Sequence, residues 1–313
     1  DQSTAPGGKV RFKQILAMLE SRLHLSPIFR RKLAFVPYGL GRPYWVEDPS
    51  FDLEYHVRHI ALPKPGDWRQ LCILSARIHS TPLRRDKPMW EIYVIEGLNN
   101  IEGFPPNCFA MLMNVHHCAM DGATGTQFMN IMHDLSTEIH DPGKAPAWVV
   151  ERPSRLGMLA RAYVDVWRKP GQVVDVVKQA MPAIRRLREG EEAERFHYLG
   201  DKSKTRFQGK ISRHRVVEAR TFDFAEIRKI KNTLPGCTVN DVMLTIVAGG
   251  LRKYLDSKGE LPDNSLVTGC PIDVRSAQER SAGGNMVGFM NVALRTDIEQ
   301  PLERLAEVHK EAL

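Results

Sequence analysis

The spacing of apolar residues along the first part of the chain switches between helical and strand periods. Apolar residues recur every three or four positions over 9–34 and over 68–79, which predicts two amphipathic helices. Residues 54–62 alternate between apolar and polar positions in the manner of a strand, and we interpret His56 and His59 within them as polar residues on the strand surface. The Gly- and Pro-rich stretch 36–52 predicts a loop.

The same patterns continue through the rest of the chain. Further strands are predicted at 90–95, 107–115, 214–224, 265–275 and 286–294. Further helices are predicted at 122–136, 154–169, 172–187, 225–234, 238–255 and 302–313, of which 238–255 reads as a long buried helix. Because strands and helices are interspersed, the fold class is predicted to be α/β with mixed sheets.

Two stretches of the chain indicate a division into domains. Residues 141–153 are Pro-rich, and 189–210 are polar and typical of a linker. We therefore predict a first domain at 1–150, a helical connector and linker at 151–205, and a second domain at 206–313. A ligand is expected in a cleft between the two domains. The last helix reaches Leu313 without a capping residue, so the second domain is expected to be truncated at its C-terminus.

Composition narrows the cellular setting. No run of about 18 apolar residues occurs and no basic-then-apolar leader is present, so neither a membrane span nor secretion is predicted. Five cysteines stand at wide spacing without a CxxC pair, which fits a reducing cytosol better than a disulfide framework. We predict a cytoplasmic protein, and the alternative is a peripheral protein at the inner face of the membrane.

The net charge of +7 is concentrated in one region. Residues 151–188 carry nine basic and three acidic residues. This excess fits a solvated helical face, contact with an anionic membrane surface, or contact with an anionic ligand such as the phosphates of CoA. Nucleic acid is not predicted as a partner, because no nucleic-acid-binding motif accompanies the charge.

The stretch CFAMLMNVHHCAMDGATG, residues 108–125, carries the candidate chemistry. Side chains alternate across a strand, so His116 and His117 would point to opposite sides and only one would face a cleft. This disfavours a two-histidine metal site, and no metal is predicted. A single histidine suits a general base at neutral pH, and Asp121 would then orient its ring or brace the turn before Gly122.

A catalytic and a structural interpretation of this motif stay open on the residues alone. In the catalytic interpretation, an alcohol or amine activated by the histidine attacks directly, because no Gly-x-Ser-x-Gly occurs and a serine nucleophile is not predicted. In the structural interpretation, a buried histidine–aspartate pair only holds a turn.

The segment HHCAMDG, His116 to Gly122, matches the HHxxxDG signature of the chloramphenicol-acetyltransferase-like superfamily. Several longer segments resemble the bacterial wax ester synthase/diacylglycerol O-acyltransferase family in the expected order. They are RPYWVEDPSFDLEYHVRHIALPKPG, STPLRRDKPMWEIYVIEGL, TRFQGKISRHRVV, TVNDVMLTIVAGGLRKYL, CPIDVRS and GGNMVGFMNVALRTD. The chain departs from the family pattern at Met89, where the family usually has Leu, and at Arg84, where it usually has Asp.

The resemblance implies two chloramphenicol-acetyltransferase-like domains and an acyl transfer reaction. A fatty acyl group would move from acyl-CoA, a co-substrate rather than a cofactor, to diacylglycerol or to a long-chain alcohol. His117 would be the general base and His116 the less suited of the pair. The resemblance implies that Asp121 is structural and pairs with Arg275.

The second half of the chain carries the remaining residues of the resemblance. Asn240 and Asp241 form the Asn-Asp motif, assigned to substrate binding, in which Asn240 would polarise the thioester carbonyl or only hold its loop. A lipid surface, either a membrane or a lipid droplet, is the expected setting. The alternatives are a condensation-type acyltransferase with a carrier-bound donor and an inactive lipid-binding relative.

Overall fold

The structure is a computed structural model that describes most of the chain. The described residues are 1–39, 41–105, 107–120, 122–134, 141–146, 154–164, 205–273 and 287–312. They form two compact units. The first unit contains the described residues up to 164 together with Ser212–Glu218, and the second contains those of 205–211, 219–273 and 287–312.

The first unit mixes helices with strands. In chain order its elements are α1 (Phe12–Arg22), β1 (Arg31–Ala34), β2 (Tyr44–Glu47), α2 (Leu53–His56), β3 (Val57–Ala61), α3 (Trp68–Ser80), β4 (Trp90–Glu96), β5 (Ala110–Val115), α4 (Gly122–Met132) and α5 (155–164). Strands β1 and β2 form an antiparallel pair. Strand β4 pairs with β3 in parallel and with β5 in antiparallel orientation, so this sheet is mixed, as the sequence predicts.

The three-stranded sheet is covered on both faces, and the alternation along β4 explains why. Ile92 and Val94 pack into a core with helices α1 and α4, whereas Tyr93 and Ile95 pack into a second core with α3. A central strand buried on both sides needs apolar residues at successive positions, which is the composition of β4. The strand therefore forms a rigid base for the segments that follow its neighbours.

The helix predicted over 9–34 is shorter than expected. Helix α1 ends at Arg22, and two short 3-10 turns, Leu23–Leu25 and Pro27–Phe29, follow it. Pro27 has no N–H to continue the helical ladder and favours extended backbone at Ser26 before it, where φ is −145°. Strand β1 then takes up residues that the periodicity assigned to the helix, and its partner β2 lies inside the predicted loop 36–52.

The two histidines near β3 have different environments. His59 lies on the strand with an exposed side chain, as predicted, and its Nε2 is 3.3 Å from a carboxylate oxygen of Glu96. The prediction for His56 is wrong. His56 ends the short helix α2 and is completely buried, stacked on the rings of Trp90 and Phe51 at 4.6 and 5.2 Å between centroids.

The second unit contains three helices and a two-stranded sheet within the described residues. Its elements are α6 (Phe224–Lys231), α7 (Val239–Asp256), β6 (Val267–Asp273), β7 (Val287–Ala293) and α8 (Pro301–Glu311), with β6 and β7 antiparallel. The predicted strand 214–224 is not observed: residues 214–223 pair with no strand, and Phe224 begins helix α6. Helix α7 is buried along one face only, and Val247, for example, is exposed.

Helices α7 and α8 approach each other closely at Gly249. A Cβ atom at this position would lie 2.9 Å from Nη1 of Arg304, which is closer than real Cβ contacts. The buried Arg304 donates hydrogen bonds to the carbonyls of Ile298 and Glu299. Glycine at 249 therefore leaves room for a buried cation whose donors are satisfied by backbone oxygens. Across the described helices, none is long and apolar enough to cross a membrane.

Candidate active site

The two adjacent histidines lie in a turn directly after strand β5. The ladder between β4 and β5 extends one residue past the strand, since the His116 amide donates to the Met89 carbonyl at 3.0 Å. The Ala119 amide then donates back to the His116 carbonyl at 2.9 Å and closes the turn. The sheet therefore fixes the backbone of the first histidine, and the second begins the turn.

Both sides of this turn are anchored in the core that β4 shares with α1 and α4. Met113 and Val115 of β5 and Met120 of the turn pack against that core. On the far side, Phe128 and Met132 of α4 are buried in it. A turn held at both ends by packed side chains keeps a reactive group in a fixed place, which acid–base catalysis requires.

Helix α4 is also fixed at its other end by a buried arginine. Arg22 of α1 is almost completely buried, donates to the carbonyl of Ile131 at 2.9 Å and forms an ion pair with Asp134. Carbonyls in the last turn of a helix lack intrahelical donors, so a cation there is favourable. The contact links the helix that starts at Gly122 to the first helix of the chain.

The rings of the two histidines differ in their contacts. His116 is exposed, and its Nδ1 accepts a hydrogen bond from the Cys118 amide at 3.1 Å, which places the proton of the neutral ring on Nε2. His117 is exposed as well, and within the described part of the chain no group hydrogen-bonds to its ring. Of the pair, His117 is thus the histidine whose ring nitrogens are available to a substrate.

The thiol beside the histidines is not poised as a nucleophile. Desolvation raises the pKa of the exposed Cys118, and its own backbone amide and Arg85 only partly offset this effect. A thiol with a raised pKa stays protonated at neutral pH, whereas thiolates are the reactive form. Attack by a cysteine is therefore a poor account of this site, although a histidine and a cysteine are adjacent in sequence.

The other residues of the predicted site begin helix α4, belong to the second unit or lie outside the described residues. Gly122 is the first residue of helix α4. Asp121 and Arg275 lie outside the described residues, so their pairing stays a prediction. No group of three or more His, Cys, Asp or Glu within metal-binding reach occurs in the ranges that the structure describes.

The Asn-Asp motif forms the first turn of helix α7 in the second unit. Asn240 is exposed. Asp241 is buried, and its Oδ2 accepts hydrogen bonds from the Thr238 amide at 2.8 Å and from Nδ1 of His309 at 2.9 Å. Burial alone would raise the pKa of Asp241, but the Thr238 amide and the His309 ring outweigh it and hold this pKa below its usual value.

This capping arrangement divides the roles of the two motif residues. The Asp241 amide in turn donates to Oγ1 of Thr238 at 3.2 Å, so the two residues cap each other across the helix start. The Asp241 carboxylate is thus committed to the helix cap, whereas Asn240 presents its amide to solvent. Asn240 is the better candidate for contact with substrate, and its assignment stays a prediction.

Comparison with known proteins identifies the family. The catalytic domain of wax ester synthase/diacylglycerol acyltransferase matches residues 1–243, which is most of the chain. The chain belongs to this family. It is 35% identical over 314 residues to a Mycobacterium tuberculosis protein named "Putative diacylglycerol O-acyltransferase", and the match covers 99% of the chain and 65% of that relative. A "Probable diacylglycerol O-acyltransferase" of the same species is 31% identical over 286 residues, covering 90% of the chain and 60% of the relative.

Solved structures agree on the fold of this family member. The wax ester synthase/diacylglycerol acyltransferase of Marinobacter aquaeolei matches with a TM-score of 0.61 at 26% identity, over 98% of the chain and 64% of that structure. The first condensation domain of the calcium-dependent antibiotic synthetase matches with a TM-score of 0.55 at 14% identity, over 97% of the chain and 66% of that structure. The predicted fold class is therefore confirmed. The chain covers less than two thirds of the length of each of these relatives, from 60% to 66%.

Sequence reasoning missed the buried histidine that supports the turn of this family member. Nδ1 of His56 donates to the Trp90 carbonyl at 2.7 Å, and the adjacent Met89 carbonyl accepts from the His116 amide. His56 thus fixes the start of β4, to which the turn with the two histidines is bonded. Trp90, on which the His56 ring stacks, lies 34 residues further along the chain. Local periodicity therefore gave no signal that His56 is buried.

The environment of His56 predicts a pH-dependent stability. Desolvation lowers the pKa of His56, and the Trp90 carbonyl only partly counteracts it. The folded state therefore keeps the ring neutral, while the unfolded state takes up a proton below about pH 6.5. Because the unfolded state then binds more protons, the free energy of unfolding should fall by up to about 1.4 kcal/mol per pH unit as the pH decreases below that value.

Urea unfolding of the protein between about pH 7.5 and pH 5.5 measures this slope, in a range above the titration of ordinary carboxylates. His56→Phe should flatten the slope, at the cost of about 1–3 kcal/mol at neutral pH for the Trp90 carbonyl left without its donor. His79→Gln, which removes an exposed histidine from α3, is the matched control. An unchanged slope in His56→Phe would assign the pH dependence to other groups.

Proposed function

We propose that the protein is an O-acyltransferase that moves a fatty acyl group from acyl-CoA to diacylglycerol, to a long-chain alcohol, or to both. The observation that carries this proposal is the exposed ring of His117, free of partners among the described residues, on a turn anchored at both ends. The family membership supports the reaction class, because relatives of this chain are named as acyltransferases with a diacylglycerol acceptor.

In the proposed mechanism His117 acts as general base. A neutral imidazole would take the proton of the acceptor hydroxyl as its oxygen attacks the thioester carbonyl of acyl-CoA. The protonated ring would then return that proton to the departing CoA thiolate. Histidine suits both steps, because its ordinary pKa lies close to neutral pH. No covalent enzyme intermediate is required, in keeping with a Cys118 that stays a thiol.

Four further residues would support this reaction. Asp121 would stabilise the turn through a pair with Arg275, and Asn240 would polarise the thioester carbonyl or hold its loop. His116 would have a structural part in the turn, since its Nδ1 already accepts the Cys118 amide. Acyl-CoA enters as co-substrate, and the proposal includes no metal ion or organic cofactor.

The proposed acceptor is insoluble in water, which implies where the protein would work in the cell. A diacylglycerol or a long-chain alcohol resides in a membrane or in a lipid droplet, so the protein would be a cytoplasmic enzyme that works at such a surface. Contact with such a surface is one of the interpretations of the basic stretch 151–188, of which the structure describes only 154–164, chiefly as helix α5. The rest of that stretch lies outside the described residues.

Release of the CoA thiol from a long-chain acyl-CoA tests the proposal. We expect release that depends on an added acceptor, with diacylglycerol and a long-chain alcohol supplied separately to rank them. Release with a carrier-bound acyl donor and none with acyl-CoA would favour a condensation-type enzyme. Binding of acyl-CoA without release to either acceptor would favour a lipid-binding relative and contradict the proposed reaction.

A further inference from the structure

One layer of the first unit exposes several large apolar side chains to solvent. It consists of the hairpin formed by β1, β2 and their connecting loop, together with helix α5. The exposed side chains are Phe35, Tyr38, Trp45, Leu156, Tyr163 and Val164. We call these six residues the aromatic surface. Tyr38 is 91% exposed and Leu156 is 80% exposed. Several exposed apolar side chains on one packed layer, unlike single ones, are typical of an interaction surface.

The hairpin and the helix form a single packed body. Val36 is buried against Met158 and Ala162 of α5, and Ala34 and Tyr44 pack at the margin of this cluster. The loop also touches the helix, since a Cβ atom on Gly41 would lie 3.1 Å from Cβ of Ala162. The exposed residues of the loop and of the helix are therefore held on one support and do not depend on separate mobile segments.

The face of the hairpin that looks away from α5 is apolar too. Alternation along β1 puts Leu33 on the side opposite to Ala34, and Trp45 lies directly across from Leu33. Directly after the strand, Phe35 is exposed whereas Val36 is buried. An exposed face with a phenylalanine and a tryptophan is unusual for a two-stranded hairpin in water, where polar residues are expected on the solvent side. The face is thus suited to contact with an apolar phase.

The tip of the hairpin projects Tyr38 outwards by means of a rare backbone conformation. Its φ is 60°, in the left-handed region that residues other than glycine seldom adopt. Pro37 and Gly39 flank it and define the tight turn. Strain of this kind persists where the surrounding structure imposes it and is often associated with function.

The charges of the hairpin and α5 are mainly positive. Residues 31–47 and 155–164 contain five basic residues and one acidic residue, Glu47, which is paired with Arg31. Arg42, Arg155 and Arg161 are exposed. An exposed set of aromatic and aliphatic side chains beside exposed cations is complementary to an apolar phase bordered by negative charge.

We propose that the aromatic surface docks the protein onto an anionic lipid bilayer, with Tyr38 and Trp45 at the level of the headgroups and the three arginines on the lipid phosphates. Tyrosine and tryptophan favour this interface because one end of each side chain is apolar and the other can be hydrated. The exposed arginines beside these apolar side chains favour an anionic bilayer over the groove of a partner protein. The inference rests on the proposed function only in that a water-insoluble acceptor requires a lipid surface.

The first test measures partition of the protein onto vesicles by flotation, without acyl-CoA or acceptor. Binding to vesicles of phosphatidylcholine with phosphatidylglycerol is expected, and much weaker binding to phosphatidylcholine alone. Each removed arginine should weaken partition about fivefold, so Arg42→Ala combined with Arg155→Ala should weaken it about 25-fold. Arg77→Ala, which removes an exposed arginine of α3, is the matched control and should bind like the parent protein.

The contribution of the aromatic rings to vesicle binding is tested with substitutions that keep the backbone conformation. Tyr38→Asn keeps a residue that tolerates positive φ and removes the ring, and it should weaken partition several-fold. Phe104→Ser removes an exposed ring elsewhere in the first unit and should leave partition unchanged. Equal losses in both variants would mean that the hairpin tip has no special part.

Depth-dependent quenching locates the contact independently of affinity. Brominated lipids should quench part of the tryptophan fluorescence of a bound variant in which phenylalanine replaces Trp68, Trp148 and Trp167. Adding Trp45→Phe should abolish most of this quenching, because the remaining Trp90 is buried. Quenching that persists in Trp45→Phe would place the contact elsewhere and overturn the proposal. So would absence of vesicle binding, which would leave the surface to a protein partner.

The vesicle experiments involve no turnover, so their outcome is separate from that of the proposed acyl transfer. A protein that binds vesicles through the aromatic surface but releases no CoA would retain this inference and lose the proposed reaction. If the protein releases CoA with a detergent-dispersed acceptor but does not bind vesicles, the proposed reaction is supported and the proposed docking surface is wrong.

Discussion

His117→Ala should lower acceptor-dependent CoA release about 10²–10⁴-fold, the usual cost of removing an acid–base group. The expected loss is in kcat more than in KM, because a proton transfer is made in the transition state and contributes little to ground-state binding. The ring is exposed, so its removal should leave the free energy of unfolding nearly unchanged. Steady-state CoA release and urea unfolding of the same preparation measure the two quantities.

His116→Ala is the matched control, since it removes a neighbouring exposed imidazole from the same turn. It deletes the hydrogen bond from the Cys118 amide to the ring and should cost much less activity, on the order of tenfold. If His116→Ala were the more severe variant, the assignment of the base to His117 would be wrong. If both variants stayed active, the two histidines would hold a turn and take no part in proton transfer.

Trp90→Ala should lower the free energy of unfolding of the protein by about 3–5 kcal/mol, the largest stability effect that we predict. Trp90 is 1% exposed, its Nε1 donates to the Phe29 carbonyl at 2.9 Å, and its ring is stacked on His56. The substitution leaves a cavity in the core between the sheet and α1 and also leaves the Phe29 carbonyl without its donor. Urea unfolding followed by circular dichroism provides the measurement.

Two variants separate these contributions. Trp45→Ala removes an exposed tryptophan from the hairpin and should change the free energy of unfolding by less than about 1 kcal/mol. Trp90→Phe keeps most of the packing and loses only the hydrogen bond, so it should fall between the other two variants. A loss for Trp90→Ala as small as that for Trp45→Ala would show that this core relaxes around the missing ring, in conflict with the packing described above.

The elements that the sequence predicted well are those with long, regular apolar patterns. Helix α3 over Trp68–Ser80 and strand β4 over Trp90–Glu96 lie where periodicity puts them, because burial of one face or of both faces constrains residue after residue. The prediction failed at short elements. The pair β1 and β2 has four residues in each strand, too few for alternation to outweigh the Gly- and Pro-rich loop between them.

The candidate site likewise has features that the sequence predicts and features that only tertiary contacts reveal. The signature His116 to Gly122 can be located from the letters alone, because adjacent histidines before an aspartate and a glycine are a compact and specific pattern. What distinguishes the two histidines is a hydrogen bond from Cys118 to one ring, and what supports the turn is His56, sixty residues earlier in the chain. Contacts between residues so far apart carry no periodic signal.

The sequence by itself thus determined the family, the mixed α/β class and the identity of the motif, since each depends on local composition and order. The tertiary structure decided which polar residues are buried, that the Asp241 carboxylate also bonds to His309, and that the hairpin tip with Tyr38 is supported by α5. The physical reason is that burial and hydrogen bonding depend on which distant segments pack together, and packing is a property of the folded chain as a whole.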